Sequence, residues 1–360
     1  MSCYITSTGA YLPGDAVDND SLATYLGKTL GERRVKEKIL AVNGIETRHY
    51  ALDEEQNPTH SLYELAAAAV EACLPRERAH DVDYLSAGTT HAPLLAPGLS
   101  SLVHDELSKR GTLTHPLEIT SNSGICSSGA QALVSASRAV KAGEAKAALC
   151  VGVEQPSVGL RAKAFRPTYD LLAILKDVRT SKWFMSTFLR FMLSDGAGAC
   201  LLEPRPAREG RSLRVDWTYS RSFANEAPLC MQLPSEPPLT LRQDVTVLSK
   251  HMAPLSKRLL TDALSEHGER LSDYAVVLPH MSSYYFEPSV KQTMLELSPE
   301  REVPYWTNLR TAGNTGAASI YVMLDEYLRT HAVAAGERLL LFVPESGQFN
   351  YVLVSLTVVA

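Results

Sequence analysis

An α/β protein with its strands buried between layers of helices is what the 360-residue sequence predicts. Three observations carry this. Short apolar runs alternate with longer helical patterns, several of the short runs are apolar at consecutive positions, and one local pattern occurs twice. The strand-like runs lie at 4–8, 84–88, 147–153, 198–202, 275–278, 339–343 and 352–358. The helix-like runs lie at 61–72, 130–141, 245–264 and 317–328. The repeat begins with a glycine and an alanine that open a helix, Gly129-Ala130 and Gly316-Ala317. Each helix is followed by an Ala-Gly-Glu turn, at 142–144 and 335–337, and then by a buried strand. An internal duplication is inferred from the shared order. It divides the chain into an N-terminal half, 1–205, and a C-terminal half, 211–360, joined by the linker-like 203–210. The basic and aromatic stretch 158–193 has no counterpart in the second half and reads as an insertion covering the mouth of a site.

Composition narrows the function classes. Apolar residues make up 45% and charged residues 21%, which fits a globular protein with a sizeable core. The net charge of −5 and the lack of a long basic run argue against a nucleic-acid partner. Cys3, Cys73, Cys126, Cys150, Cys200 and Cys230 show no CxxC spacing, so reduced thiols without a metal centre are expected. No apolar run reaches the roughly 18 residues of a membrane span. Residues 1–13 lack the basic-then-apolar pattern of a secretory signal. A cytoplasmic protein without a membrane partner is the expectation.

The strongest chemical signal is the segment SGICSSGA at 123–130. Cys126 stands among small residues at the start of a helix, where a substrate can approach the sulfur. Helix N–H groups there are expected to lower the thiol pKa. A buried structural cysteine is the competing reading. His280 follows directly on the apolar run ending in Leu278-Pro279, where sheet ends present catalytic groups. Asn314, in the run GNTGAAS, reads by itself as a turn residue or helix cap. In the duplicated frame the two helix starts come to the middle of the molecule, so Cys126, His280 and Asn314 converge on one pocket.

On these residues the sequence resembles the thiolase superfamily, and within it condensing enzymes like β-ketoacyl-ACP synthase III. The resemblance extends to NGIETR at 43–48, AGTT at 87–90, SDGAGA at 194–199 and Ser346-Gly347. It implies a duplicated five-layer αβαβα fold with two central mixed sheets. It also implies a ketosynthase that joins two acyl thioesters through an acyl group held on Cys126. The backbone N–H groups of Cys126 and Gly347 would form the oxyanion hole, and His280 and Asn314 would stabilise the enolate of the second substrate. The implied partners are CoA thioesters or an acyl carrier protein, with phosphopantetheine supplied by the substrate and no cofactor of the protein's own. A homodimer is implied, with the segment 90–102 reaching the partner's pocket. Phe184, Phe188, Ser283 and Leu95 are read as substrate-binding, and Glu345, beside the oxyanion turn, as an extra acid or base.

The pattern also departs from the fatty-acid-initiating enzymes. After the histidine stands MSSYYF at 281–286, where those enzymes carry Gln-Ala-Asn, and PESGQF at 344–349 replaces a triple glycine. These segments look more like a specialised-metabolism branch that cyclises its products to cyclohexanedione or dialkylresorcinol rings. A degradative thiolase would need a second cysteine near the C-terminus, but the last one is Cys230. Two alternatives stay open: transfer of the acyl group to an alcohol or amine, and a non-catalytic ketosynthase-like subunit.

Overall fold

The computed structural model describes residues 1–235 and 240–360. One mixed sheet of nine strands forms its frame. In chain order these are β1 (Tyr4–Tyr11), β2 (Tyr84–Thr89), β3 (Glu118–Ser123), β4 (Ala148–Glu154) and β5 (Gly196–Glu203). The second half supplies β6 (Ser212–Ser222), β7 (Val276–Pro279), β8 (Arg338–Val343) and β9 (Asn350–Val359). Their order across the sheet is β7-β8-β9-β6-β1-β5-β4-β2-β3. β1 and β6 touch through only two residue pairs, Tyr4 with Arg214 and Ile5 with Leu213. The two expected sheets are thus joined edge to edge along a narrow seam. On either side the strands run in matching succession, β1-β5-β4-β2 against β6-β9-β8-β7.

The longer helices, of nine residues or more, are α1 (Leu62–Cys73), α2 (Leu99–Lys109), α3 (Ser127–Ala142), α4 (Lys182–Arg190), α5 (Val245–His267), α6 (Glu287–Leu297) and α7 (Ser319–Thr330). Alternation along the strands sorts them into layers. Ala148 and Cys150 of β4 pack with α3 and α7, whereas Leu149 and Val151 pack with α1 and α2. In the same way Leu339 and Leu341 of β8 face α3 and α7, and Leu340 and Phe342 face α5 and α6. Both faces of β4 and β8 are buried, which explains their consecutive apolar residues. The result is five layers, with α3 and α7 at the centre.

Local signals account for the element ends. Ser61 and Glu64 form a reciprocal capping box at the start of α1. The glycines of the two Ala-Gly-Glu turns, Gly143 and Gly336, adopt the same left-handed conformation, with φ of 82° and 89°. Among the described residues no helix is long and apolar enough to cross a membrane.

Candidate active site

The site exists because α3 and α7 begin in contact. A Cβ on Gly129 would lie 2.0 Å from the carbonyl oxygen of Ala317, so only glycine allows this approach. The Tyr321 hydroxyl donates to the Gly129 carbonyl at 2.7 Å and fastens the crossing. Cys126 is the residue immediately before α3, and Asn314 stands just before the turn that leads into α7. The amide N–H of Asn314 donates to Met192 O, and its carbonyl accepts from the Ser194 N–H. Its Oδ1 accepts from the Gly316 N–H at 2.9 Å, which fixes the orientation of the side-chain amide.

Two apolar cavities meet at Cys126. The first, about 320 Å³, also reaches His280 and extends beneath α5 and α6. The second, about 400 Å³, also reaches Asn314 and runs under the insertion. Ser282 and Ser346 line both. The three residues singled out in the sequence are therefore gathered around one junction.

His280 is buried at the end of β7, where its N–H donates to Phe342 O at 2.8 Å. Its Nδ1 is hydrogen-bonded to Ser319 Oγ, while Nε2 is buried without a partner among the described residues. An orphaned ring nitrogen beside a substrate-sized cavity marks a functional position, since such groups are otherwise satisfied. Burial lowers the imidazole to about 4, so the ring is neutral at physiological pH.

Cys126 differs from the sequence expectation. Burial raises its thiol well above the ordinary value, and the Glu345 and Glu154 carboxylates add to the rise. The start of α3 opposes this but is itself occupied by Glu345. Glu345 Oε2 accepts from the Ile125 N–H at 3.2 Å, the Ser127 N–H at 3.3 Å and the Ser127 hydroxyl. Glu345 is thus a cap on the nucleophile's helix and lines neither cavity, so a free loop acid or base is not what the geometry places there. Gly347 is set by the same turn. Its carbonyl accepts from the Cys230 and Met231 N–H groups, and a Cβ on it would lie 2.6 Å from Glu345 Oε1.

Two further expectations shift by one turn or one residue, and a third falls outside both cavities. Phe184 and Phe188 of α4 pack against each other and into the cluster behind the insertion. The adjacent face of the same segment, with Ser186, Leu189, Met192 and Leu193, lines the second cavity. Helical spacing identifies a stripe but does not say which stripe meets the cavity. Ser283 is buried and accepts from the Tyr285 N–H as a helix cap, and its neighbour Ser282 lines the cavities instead. Leu95 is 91% exposed and lines neither cavity of its own chain.

Glu154 was not singled out in the sequence, though a carboxylate closing an otherwise apolar strand is an available signal. It lines the second cavity beside Cys126 and Asn314. Its Oε1 accepts from the Thr90 N–H, the Thr90 hydroxyl and the Ala317 N–H. Burial nevertheless raises it to about 7, above the ordinary 4.5. In that interval the native protein holds a proton that the unfolded chain has lost, so stability falls as pH rises from about 4.5 to about 7. Asp195, raised to about 6 by burial, contributes with the same sign. Urea midpoints at about pH 5 and about pH 7.5 are expected to show the decline, and Glu154→Gln is expected to flatten it.

Comparisons with known proteins cover the same residues. The family described as β-ketoacyl synthase, N-terminal domain, matches 119–207, which includes Cys126. The family described as 3-oxoacyl-[acyl-carrier-protein] synthase III C terminal matches 264–348, which includes His280, Asn314 and Gly347. The β-ketoacyl-[acyl-carrier-protein] synthase III of Neisseria gonorrhoeae is 25% identical over 342 residues, 94% of this chain and 93% of that protein. The structure of 3-oxoacyl-(acyl carrier protein) synthase III from Pseudomonas aeruginosa PAO1 superposes with a TM-score of 0.74 at 23% identity, covering 99% of this chain and 98% of that one. AbyA1, described as a tetronic acid condensing enzyme, superposes with a TM-score of 0.75 at 21% identity, covering 99% of each chain.

Proposed function

We propose that this chain, which is related over nearly its whole length to the ketosynthase III-type condensing enzymes, joins two acyl thioesters through an acyl group carried on Cys126. The observation that carries the reading is the meeting of two apolar cavities at one cysteine, with His280 on one side and Asn314 on the other.

The chemistry follows from these groups. Cys126 attacks the first thioester and releases its thiol carrier, which takes the proton from the cysteine. The Cys126 and Gly347 N–H groups stabilise the tetrahedral oxyanion. In the tautomer in which the Ser319 hydroxyl donates to Nδ1, the His280 proton sits on Nε2, ready to donate to the second thioester's carbonyl. The Asn314 amide supplies a second donor to the same oxygen. The enolate forms there as the second thioester's α-carbon gives up an α-carboxylate as CO2; it attacks the Cys126-bound carbonyl, a C–C bond forms, and the cysteine leaves as thiolate and regains a proton from water. A neutral imidazole suits this role, because it donates without first surrendering a charge to the cavity.

The donors of both acyl groups are read as CoA or acyl-carrier thioesters, handled by a homodimer. Ring closure to a cyclohexanedione or dialkylresorcinol product is the finer reading, supported by the segments at 281–286 and 344–349. Incubation with pairs of acyl-CoA and acyl-carrier thioesters, followed by mass analysis, tests both levels. The expected product contains both acyl chains, and a condensed product freed from its carrier, its thioester C–S bond broken as the ring C–C bond forms, would report ring closure. Transfer to an added alcohol or amine, without any doubly acylated carbon product, would sink the condensing reading.

A further inference from the structure

The short helix Leu171–Asp177, inside the insertion, carries apolar residues on two sides. Ile174 and, one turn on, Val178 pack against the core cluster that holds Phe165 and Trp183. Leu171, Leu172 and Leu175 lie on the other side and are 68%, 86% and 83% exposed. A group of neighbouring exposed leucines marks a contact surface, where a lone one would not. Tyr169, also exposed, stacks on Trp183, and the Trp183 ring borders Gly31. The loop at 28–34, with its exposed Leu30, therefore adjoins the same face.

Charge of one sign is gathered around these residues. The stretch 161–182 has six basic residues against two acidic ones, while the whole chain carries −5. Both acidic residues are engaged: Asp170 accepts from the Lys182 N–H, and Asp177 from the Arg179 N–H and guanidinium. In the adjoining loop Glu32 turns inward to Arg190. Lys28, Arg33, Arg34, Lys176 and Lys182 are exposed and form no ion pair among the described residues. On the far side Lys163 meets the acidic loop 53–55, which bounds the basic area.

We infer that this face, the three leucines with the lysines and arginines around them, rests on an anionic lipid bilayer. Composition decides between a bilayer and a protein partner. Exposed leucine with lysine is the make-up of interfacial lipid-binding segments: the leucines enter the acyl boundary and the long basic chains reach the phosphates. Protein–protein contacts are depleted in lysine at their cores, and leucine is under-represented among the residues that carry their affinity. The tyrosine beside the leucines suits a boundary that is apolar at one end and wet at the other. Such a contact needs no spanning helix, and with it the expectation of no membrane partner holds for helical crossing alone. Ala164 and Arg166, exposed residues of the second cavity's wall, belong to the same insertion. A bilayer met by this face lies beside the mouth of the cavity that reaches Cys126, which shortens the path of an apolar substrate or product through water.

Cosedimentation of the full chain with sucrose-loaded vesicles tests this, using phosphatidylcholine alone and equal parts of phosphatidylcholine and phosphatidylglycerol. Binding to the mixed vesicles is expected, about tenfold or more weaker on the neutral ones, and it should fall as salt rises above the physiological range. Leu172→Asp with Leu175→Asp, and separately Lys176→Glu with Lys182→Glu, should each weaken it by about tenfold or more. All four side chains are exposed and line neither cavity, so thermal unfolding and any loading of Cys126 from butyryl-CoA should match the unaltered protein. The vesicle result stands whatever Cys126 carries. No binding to the mixed vesicles, or binding that either variant retains in full, would overturn the inference. A dimer that the leucine variant splits in light scattering, with no vesicle binding by the parent, would mean that a second copy covers the face. Weaker acyl transfer from a carrier protein in the lysine variant, with vesicle binding retained, would assign the charges to that carrier instead.

Discussion

Cys126→Ala is expected to take up no acyl group from any thioester and to lose condensation by at least about a thousandfold, the scale of removing a covalent nucleophile. Removing the sulfur should leave the fold intact. The approach of α3 and α7 depends on Gly129, Ala317 and Tyr321, and the start of α3 is held by Glu345 through Ile125 and Ser127, none of which involves the Cys126 side chain. Thermal unfolding of the variant should therefore match the parent closely, while intact mass shows no adduct. An adduct that persisted in Cys126→Ala would place the nucleophile elsewhere. Since Cys3, Cys73, Cys150, Cys200 and Cys230 are all buried, peptide mapping would then be needed to find it.

His280→Ala separates the two stages of the reaction. Its Nε2 is positioned for the second substrate, so acyl loading on Cys126 should continue, whereas condensation should fall by about 10²–10³, the usual cost of losing one preorganised donor. The substitution also leaves Ser319 Oγ without its partner and opens space in a buried site. A stability loss of about 1–3 kcal/mol from the unsatisfied hydroxyl is expected alongside the kinetic effect. Rapid-quench mass measurements resolve the stages. Equal losses in loading and condensation would show that His280 acts on the thiol and not on the incoming carbonyl.

Much of this arrangement is legible in the residues. Alternation fails at β4 and β8 because both faces are buried, and that failure by itself announces helices on each side. The paired Ala-Gly-Glu turns mark equivalent places in the two halves, down to the left-handed glycine. Cys126, His280 and Asn314 are visible because each stands among small residues or directly after an apolar strand. What stays illegible depends on contacts across long separations. Glu154 looks like an ordinary charged residue at a strand end until Thr90 and Ala317 are brought to it, and Glu345, noticed for its place, shows its capping role only when Ile125 and Ser127 meet it. The choice between Phe184 and Leu189 as cavity wall is a matter of helix rotation, which a periodic pattern leaves undetermined. β6, with polar residues interleaved among Val215, Trp217 and Tyr219, carries too mixed a pattern to stand out as a buried strand.

The carboxylate of Glu345 has a consequence for chemical durability. Peroxides and electrophilic metabolites attack a cysteine through its thiolate, and the path to sulfenic and sulfinic acid starts from that form. Burial first, with the Glu345 and Glu154 carboxyl groups adding to it, keeps Cys126 protonated between turnovers. The resting protein is thereby shielded from oxidative loss of a residue it cannot replace, and the cysteine becomes reactive when a thioester fills the site and accepts its proton on departure. Glu345→Gln should make the enzyme quicker to inactivate with hydrogen peroxide, by the share of the shift that Glu345 adds to burial.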